Sequence, residues 1–303
     1  MNRNRVNSCR IIHGDSRSIL PNMTEKVDLI VTSPPYTDAR KKHYDSIHPD
    51  EFSDWLLSFH KAFYEILKPN GSLLINIKDK IVDGTRHRFV WKTIEKFCEL
   101  GWYSIEDYIW HKTNPMPGYW PTRLRDGWEY CFHLAKSKNP YINQEAVKIP
   151  TGKWAEARLE NLTGKSAIRH NSENNSGFGR DLTKWVGKER VLPSNVLSLP
   201  LVGKNMGHPA VYPIGLPVFF IKLLCPKKGI VLDPFAGSGQ TGIAALQLNR
   251  NVILVDNQRN YIEVMAKRIR EVAKNFSTQT LVDNFDIASY QINVVKKIHQ
   301  AKL

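Results

Sequence analysis

Three kinds of feature are missing from this 303-residue chain, and each absence argues against a class of protein. No run of about 18 apolar residues is present, so the sequence offers no membrane-spanning helix. The N-terminus is basic but has no apolar stretch behind it, which argues against a secretory signal. The four cysteines show no CxxC spacing, and none of the ten histidines stands at metal-ligand spacing from another ligand residue. We therefore expect a cytoplasmic protein with reduced thiols, no membrane partner and no metal.

Acidic residues are scarce relative to basic ones. Lys plus Arg number 43 and Asp plus Glu 29, which gives a net charge of +14. The simplest meaning of such an excess is a polyanionic partner, because each neutralised phosphate releases counterions. A proteome whose proteins are generally basic, or a bias toward solubility, would give the same excess of positive charge. Charge alone therefore does not decide between a nucleic-acid partner and such a general bias.

Two stretches of alternating strand and helix predict an α/β fold with a doubly wound, mostly parallel sheet. The first has strands at 27–31, 73–77 and 108–110, a helix at 89–100, and a helix whose apolar residues recur at helical spacing from Phe52 to Leu67. The second has strands at 230–232 and 252–255, with helices from about Thr241 and Tyr261. Residues 137–207 between them carry 11 Lys or Arg against 6 Asp or Glu and look like a loop-rich insertion. The tail at 277–303 is weakly patterned, and we expect it to be helical.

A glycine-rich turn follows the strand at 230–232. Gly237, Gly239 and Gly242 have the spacing of the dinucleotide-binding fingerprint, and Asp256 ends the next strand, where a carboxylate can hold ribose hydroxyls. Asp233, just before the turn, would repel a pyrophosphate but attract the ammonium and sulfonium of S-adenosylmethionine. The turn therefore favours that cofactor. A dehydrogenase, or a purely structural turn capped by Asp233, remains open at this point.

A second turn, Ser33-Pro34-Pro35-Tyr36, ends the strand at 27–31. Two consecutive prolines make it rigid and leave its carbonyls as acceptors. An exocyclic amine is a poor nucleophile because its lone pair is delocalised into the base. If the Pro34 carbonyl and the Ser33 hydroxyl accept its hydrogens, the nitrogen can pyramidalise and attack a sulfonium methyl directly. Tyr36 can stack on a base flipped out of the duplex. A lone Pro-Pro-Tyr is more often only a turn with a core tyrosine.

The two turns together resemble the amino-methyltransferases of restriction–modification systems. Having the catalytic turn first and the cofactor turn second is similar to the β-class order of that family, and the resemblance covers residues 10–136 and 205–270. It implies a Rossmann-like methyltransferase fold in circularly permuted order. On this interpretation residues 1–136 and 208–276 are the catalytic and cofactor-binding halves, and 137–207 is the target-recognition region. A serine at the start of the turn is commonest in cytosine-N4 enzymes and an aspartate in adenine-N6 enzymes, so cytosine N4 is expected and adenine N6 stays open.

The resemblance also extends the predicted site. It assigns Asp15 to the cofactor adenine, although Asp15 could equally cap the short helix after it. It places His208 and Pro209 near the methionine moiety and Asn257 near adenine or ribose. It implies double-stranded DNA as partner, a cognate restriction endonuclease, a monomer or homodimer, and no metal. The complete predicted cofactor set is Asp15, His208, Pro209, Asp233, Pro234, Phe235, Gly237, Gly239, Thr241, Asp256 and Asn257.

Residues 110–128 interleave four aromatic residues with basic ones, a mixture that suits a DNA-facing rim. A proline-kinked loop that packs its tryptophans would look the same. A basic run just past Tyr36 and three arginines in the insertion are further candidates, although each could be an ordinary surface residue. The predicted DNA contacts are Arg40, Lys41, Lys42, Lys112, Arg123, Arg125, Arg158, Arg169 and Arg180.

Other functions remain to be weighed. An RNA methyltransferase or a protein-glutamine methyltransferase would share the chemistry, but those families usually place the cofactor turn first and use an asparagine where this chain has Ser33. From another class, a DNA-binding regulator that has lost catalysis would keep the basic charge without needing both turns intact.

Overall fold

The computed structural model describes residues 7–37, 47–152, 157, 160, 162, 168–169, 180–181, 183, 186–202, 211–275, 280–282 and 289–294. The chain divides into one unit made of residues 1–143 and 195–303, and a second made of 144–194. No helix in the described ranges is long and apolar enough to cross a membrane.

A ten-stranded sheet forms the first unit, in the order β12-β6-β7-β3-β2-β13-β14-β1-β16-β15. Its centre, β3-β2-β13-β14-β1, is parallel throughout, which confirms the predicted α/β fold. Strands β7 and β16 run antiparallel to this centre, and β12 pairs in parallel with β6 at one edge. A separate hairpin, β4–β5, follows β3. The strands are β1 Asn7–His13, β2 Val27–Thr32, β3 Leu67–Ile77, β4 Lys80–Val82, β5 Thr85–His87, β6 Tyr103–Lys112, β7 Trp128–Ala135, β8 Ile149–Pro150, β9 Ile168–Arg169, β10 Arg180–Asp181, β11 Arg190–Val191, β12 Val196–Leu199, β13 Ile230–Asp233, β14 Asn251–Asp256, β15 Thr280–Val282 and β16 Ser289–Val294.

Apolar residues of the helices at 49–57, 60–66 and 89–99 pack with those of the sheet in one buried core. The sequence predicts one continuous helix from Phe52 to Leu67, but the structure has two helices there. The Ser58 hydroxyl donates to the Trp55 carbonyl at 2.6 Å, and a side chain that binds the local backbone in this way competes with the helical hydrogen bonds. Phe52, Phe59 and Phe63 are nevertheless all buried in one core. The helices described are α1 Ser16–Ile19, α2 Pro49–Leu57, α3 His60–Ile66, α4 Phe89–Glu99, α5 Gly215–Leu224, α6 Gln240–Gln247 and α7 Arg259–Asn275, with 3-10 turns at Leu20–Asn22 and Gln144–Val147.

The prediction of a helical tail is wrong for the described residues. Strand β16 pairs antiparallel with β1, from Asn7 opposite Val294 to Ile12 opposite Ser289, and β15 pairs with β16. Without this pairing β1 would be an edge strand with unpaired backbone groups, so the tail covers that edge.

Within the predicted insertion 137–207, residues 195–202 belong to the first unit, where β12 joins the sheet. The second unit contains two short antiparallel pairs. Strand β8 pairs with β11, and β9 pairs with β10 so that Arg169 lies opposite Arg180.

The strands of the parallel centre place the predicted site residues together. Strand β2 ends just before Ser33, β13 ends at Asp233, and β14 ends at Asp256 next to the end of β1. Ligands of open α/β sheets bind at this carboxyl edge.

Candidate active site

A cavity opens at the carboxyl edge of β1, β2, β13 and β14. Five backbone segments line it, together with Trp55 of α2, Phe59 between α2 and α3, and Tyr261 of α7. The first segment follows β1, the second is the Ser-Pro-Pro-Tyr turn, the third is Val211 and Tyr212 before α5, the fourth is the glycine turn, and the fifth follows β14. Its lining residues are Gly14, Asp15, Ser16, Arg17, Ser33, Pro34, Pro35, Tyr36, Trp55, Phe59, Val211, Tyr212, Pro234, Phe235, Ala236, Gly237, Ser238, Gln240, Asp256, Asn257, Gln258 and Tyr261.

The glycine turn requires glycine for two separate reasons. Gly237 and Gly239 have φ values of 51° and 80°, which are left-handed conformations that side chains disfavour. A Cβ at Gly242 would come within 2.5 Å of Leu254 Cδ1, so that glycine lets α6 pack closely on β14. The turn thus brings backbone N–H groups close to the cavity while α6 stays against the sheet.

Asp256 lies at the cavity wall and holds the turn in place. Its Oδ2 accepts the Gly237 N–H at 2.7 Å, and its Oδ1 accepts the Gln258 N–H at 2.8 Å. Burial raises the pKa of this carboxyl, and the two backbone hydrogen bonds oppose that rise. Each oxygen keeps a second lone-pair position, so the carboxylate can also accept hydroxyls from a ligand.

Asp233 does not line the cavity. Its carboxylate accepts the Thr32 hydroxyl and the Phe235 N–H, each at 3.1 Å, the Tyr212 hydroxyl at 3.2 Å, and the Thr241 hydroxyl. Burial raises its pKa to about 6, and these hydrogen bonds counteract part of the effect. Direct contact with a cofactor ammonium stays a prediction. In the structure, Asp233 orders Tyr212, which does line the cavity.

Asp15 caps the helix that follows it and also lines the cavity. It caps α1, with Oδ1 accepting the Arg17 N–H at 2.8 Å, and its Oδ2 pairs with the Arg17 guanidinium at 2.6 Å. The hydrogen bond from the Arg17 side chain is the largest effect on the carboxyl and lowers its pKa. Contact between Asp15 and the cofactor adenine stays a prediction, which its place in the cavity wall allows.

The Ser-Pro-Pro-Tyr turn separates this cavity from a second one. Ser33, Tyr36, Val211 and Tyr212 line both. Eight charged side chains line the second cavity, whereas three line the first. Its further lining residues are Thr37, Lys78, Asp79, Lys80, Ile81, Arg86, Trp110, Lys112, Met116, Trp120, Arg123, Asp126, Glu129, Leu201 and Val202.

Beneath Tyr36 lies a buried polar cluster that the sequence reasoning missed. The Tyr36 hydroxyl donates to Glu129 Oε2 at 2.7 Å, the Lys112 ammonium pairs with Glu129 Oε1 at 2.6 Å, and the Asn76 amide donates to Oε2 at 3.2 Å. Glu129 and Lys112 are 6% and 7% exposed. The sequence does carry one signal for this cluster. Glu129 stands at the start of a largely apolar run, and a carboxylate is almost never fully buried unless it is paired with another group.

Several predicted DNA contacts can now be placed. Lys112 is buried against Glu129 and is therefore committed to that carboxylate instead of to a phosphate. Arg123 lies over the Trp120 ring, 5.9 Å from its centroid, on the wall of the second cavity, and Arg125 is exposed. Arg169 and Arg180 lie on β9 and β10. Arg40, Lys41, Lys42, Arg158, His208 and Pro209 lie outside the described residues. In the part of the chain that the structure describes, no group of three potential metal ligands is present.

Comparison with known proteins identifies relatives of both the sequence and the fold. A family model described as DNA methylase matches residues 27–268. The type II methyltransferase M.PvuII of Proteus hauseri is 27% identical over 297 residues, covering 90% of this chain and 86% of the relative. M.SmaI of Serratia marcescens is 25% identical over 299 residues, covering 87% and 91%.

Solved structures share the fold. The PvuII DNA methyltransferase, described as cytosine-N4-specific, superposes with a TM-score of 0.63 at 23% identity, covering 88% of this chain and 92% of that one. A complex of M1.HpyAVI with SAM gives a TM-score of 0.55 at 22% identity, covering 86% and 98%.

Proposed function

The chain belongs to the DNA methylase family, and we propose that it transfers the methyl group of S-adenosylmethionine to an exocyclic amine of a DNA base flipped out of the duplex. We further propose cytosine N4 as the amine and double-stranded DNA as the substrate. The relatives named above are type II methyltransferases, which supports a role as the modification enzyme of a restriction–modification system.

One observation carries the proposal: the Ser-Pro-Pro-Tyr turn stands between two cavities and contributes Ser33 and Tyr36 to both. A transfer reaction needs its donor and acceptor to meet at one point from opposite sides. The cavity at the glycine turn would hold the donor, and the cavity with basic and aromatic residues would hold the flipped base. The amine would then lie against the turn, with its hydrogens accepted by the Ser33 hydroxyl and the Pro34 carbonyl.

The residues of the first cavity fit S-adenosylmethionine. Asp256 retains a free lone-pair position on each oxygen for the ribose hydroxyls. The glycine turn lacks the Cβ atoms that would keep a ligand from its backbone, and Phe235 and Tyr261 provide aromatic surface for an adenine ring. When bound, this cofactor supplies an electrophilic methyl group. The protein's part is to hold the amine in line with that methyl and to exclude water.

Cytosine is favoured by Ser33 at the first position of the turn. It is also favoured by the related PvuII enzyme, which is described as cytosine-N4-specific. The proposed site for sequence reading is residues 137–207 together with the 110–128 rim, where Arg123 borders the second cavity.

Transfer of tritium from methyl-labelled S-adenosylmethionine to double-stranded DNA tests the proposal. The wild-type protein should label DNA, and Ser33→Ala should lower the rate by about tenfold or more because the amine loses an acceptor. Ser104→Ala, on an exposed position of β6, is the matched control and should keep wild-type activity. Absence of labelling by wild-type protein on DNA containing all short sequences would contradict the proposed function.

A further inference from the structure

Two tyrosines stand where the two cavities meet. Tyr36 and Tyr212 line both cavities, so the transferred methyl group would pass beside their rings. The Tyr36 phenol donates to Glu129 Oε2 at 2.7 Å, and Glu129 lines the second cavity but not the first. The Tyr212 phenol donates instead to Asp233, which ends β13 just before the glycine turn. Tyr36 is therefore held from the acceptor side of this junction and Tyr212 from the donor side.

Tyr212 is anchored through both its side chain and its backbone. Its hydroxyl is hydrogen-bonded to Asp233 Oδ2 at 3.2 Å and to the Thr241 hydroxyl. Its carbonyl accepts the Gln240 amide at 3.1 Å, and Gln240 Oε1 accepts the Arg268 guanidinium at 2.5 Å. Burial and the charge of Asp233 raise the pKa of the phenol well above its ordinary value, so the phenol stays protonated. Because its polar end is engaged within the protein, the ring is the part of Tyr212 that a ligand can contact.

The carboxylates of the first cavity are engaged away from the junction. Among the lining residues that the structure describes, these carboxylates belong to Asp15 and Asp256. Asp15 pairs with Arg17 at 2.6 Å, and each oxygen of Asp256 accepts a backbone N–H. Neither residue lines the second cavity. The positive sulfur of S-adenosylmethionine would therefore meet an aromatic face at the junction, and such a face attracts cations.

We propose that Tyr212 is a specificity-determining residue whose ring binds the sulfonium by a cation–π contact, which favours S-adenosylmethionine over its neutral demethylated product. This inference rests on the proposed function, since it names the part of that cofactor that Tyr212 recognises. The Asp233 carboxylate strengthens the contact from behind, because accepting the phenol proton increases the electron density of the ring. When the methyl group moves to the amine, the sulfur keeps the electron pair of the broken bond and becomes an uncharged thioether. The contact weakens at that moment, which favours release of the product.

The ratio of two dissociation constants tests the inference. Calorimetric titration gives Kd for S-adenosylmethionine and for S-adenosylhomocysteine, which lacks the methyl group and the charge. Tyr212→Leu should lower the ratio of the homocysteine Kd to the methionine Kd by roughly tenfold, because the cation–π contact is lost. Tyr212→Phe keeps the ring, so its ratio should stay within about threefold of the wild type. A ratio in Tyr212→Phe as low as that in Tyr212→Leu would overturn the inference.

Phe235→Leu is the matched control, because Phe235 lines the first cavity but not the second. It should weaken both ligands alike and leave the ratio unchanged. The same behaviour in Tyr212→Leu would show a purely structural role and overturn the inference. An analogue with an ammonium in place of the methyl sulfonium separates charge from methyl packing. Tyr212→Leu should weaken this analogue relative to S-adenosylhomocysteine, and an unchanged ratio would contradict a contact with charge.

A double variant keeps the test valid if Tyr212→Leu alone fails to fold. Asp233→Asn/Tyr212→Leu leaves no buried carboxylate without its donor, and its ratio should be equally low. A wild-type ratio in this double variant would overturn the inference. If the wild-type protein binds neither ligand and labels no DNA, the proposed function fails first. Labelling of DNA together with an unchanged ratio in the variants would be a failure of this inference alone.

Discussion

Replacing Asp256 by Asn is expected to weaken binding of S-adenosylmethionine by roughly tenfold to hundredfold. Each carboxylate oxygen already accepts one backbone N–H, from Gly237 at 2.7 Å and from Gln258 at 2.8 Å. One lone-pair position therefore remains on each oxygen, and two adjacent ribose hydroxyls would use both.

The magnitude follows from the acceptor that Asn removes. An amide has a single oxygen, so one ligand hydroxyl and one of the two backbone N–H groups lose their partner. A hydrogen bond to a charged group is worth about 1.5–3 kcal/mol, and about 1.4 kcal/mol corresponds to tenfold in Kd. The backbone N–H left unpaired should also lower the free energy of unfolding by about 1–3 kcal/mol.

Asp28→Asn provides the control for that loss of stability. Asp28 is 8% exposed, as Asp256 is, and accepts the Ile230 N–H at 2.8 Å and the Lys68 ammonium, but it does not line the cavity. Calorimetric titration with S-adenosylmethionine and urea unfolding should show reduced stability in both variants and reduced affinity only in Asp256→Asn. Wild-type affinity in Asp256→Asn, or equal weakening in Asp28→Asn, would refute the ribose assignment.

Three further outcomes are expected. Burial raises the pKa of Asp233 from 3.8 to about 6, so its stabilising protonated form is fully present below pH 3.8 and is lost as the pH rises through about 6. Urea unfolding should therefore show that the free energy of unfolding of the wild type falls by about 3 kcal/mol relative to that of Asp233→Asn between pH 3 and 7, and parallel pH profiles of the two proteins would contradict this. Tyr36→Ala should lower methyl transfer by about a hundredfold or more while calorimetry shows nearly unchanged cofactor affinity, because on the proposed function the ring would stack on the base; equal loss of both would mean that Tyr36 supports the cofactor cavity. Arg123→Ala should reduce the slope of log affinity for DNA against log salt by about one if the guanidinium neutralises a phosphate, and an identical slope would place it outside the DNA interface.

Local patterns predicted the parts of the site that depend on neighbouring residues in the chain. The glycine turn and the Ser-Pro-Pro-Tyr turn each specify their own backbone geometry, and the alternation of strands and helices brings both to the carboxyl edge of the sheet. Their roles in binding and catalysis stay predictions.

Long-range pairing explains what sequence reasoning missed. Lys112 looks like a DNA contact beside its aromatic neighbours, and only the pairing of β6 with β7 shows that its charge meets Glu129. The C-terminal strand had a visible signal, since Tyr290, Ile292 and Val294 alternate with polar residues at the period of a strand. That short run gains its partner only when β1, nearly three hundred residues earlier, presents an unpaired edge.

Identification of the modified nucleoside tests the central claim most directly. DNA incubated with the wild-type protein and deuteromethyl-labelled S-adenosylmethionine would be digested to nucleosides and analysed by mass spectrometry against synthetic standards, with Ser33→Ala protein in parallel. The account predicts labelled N4-methylcytosine, strongly reduced with the variant. Labelled N6-methyladenine would contradict the choice of base, and DNA without any labelled nucleoside would contradict methyl transfer to an exocyclic amine.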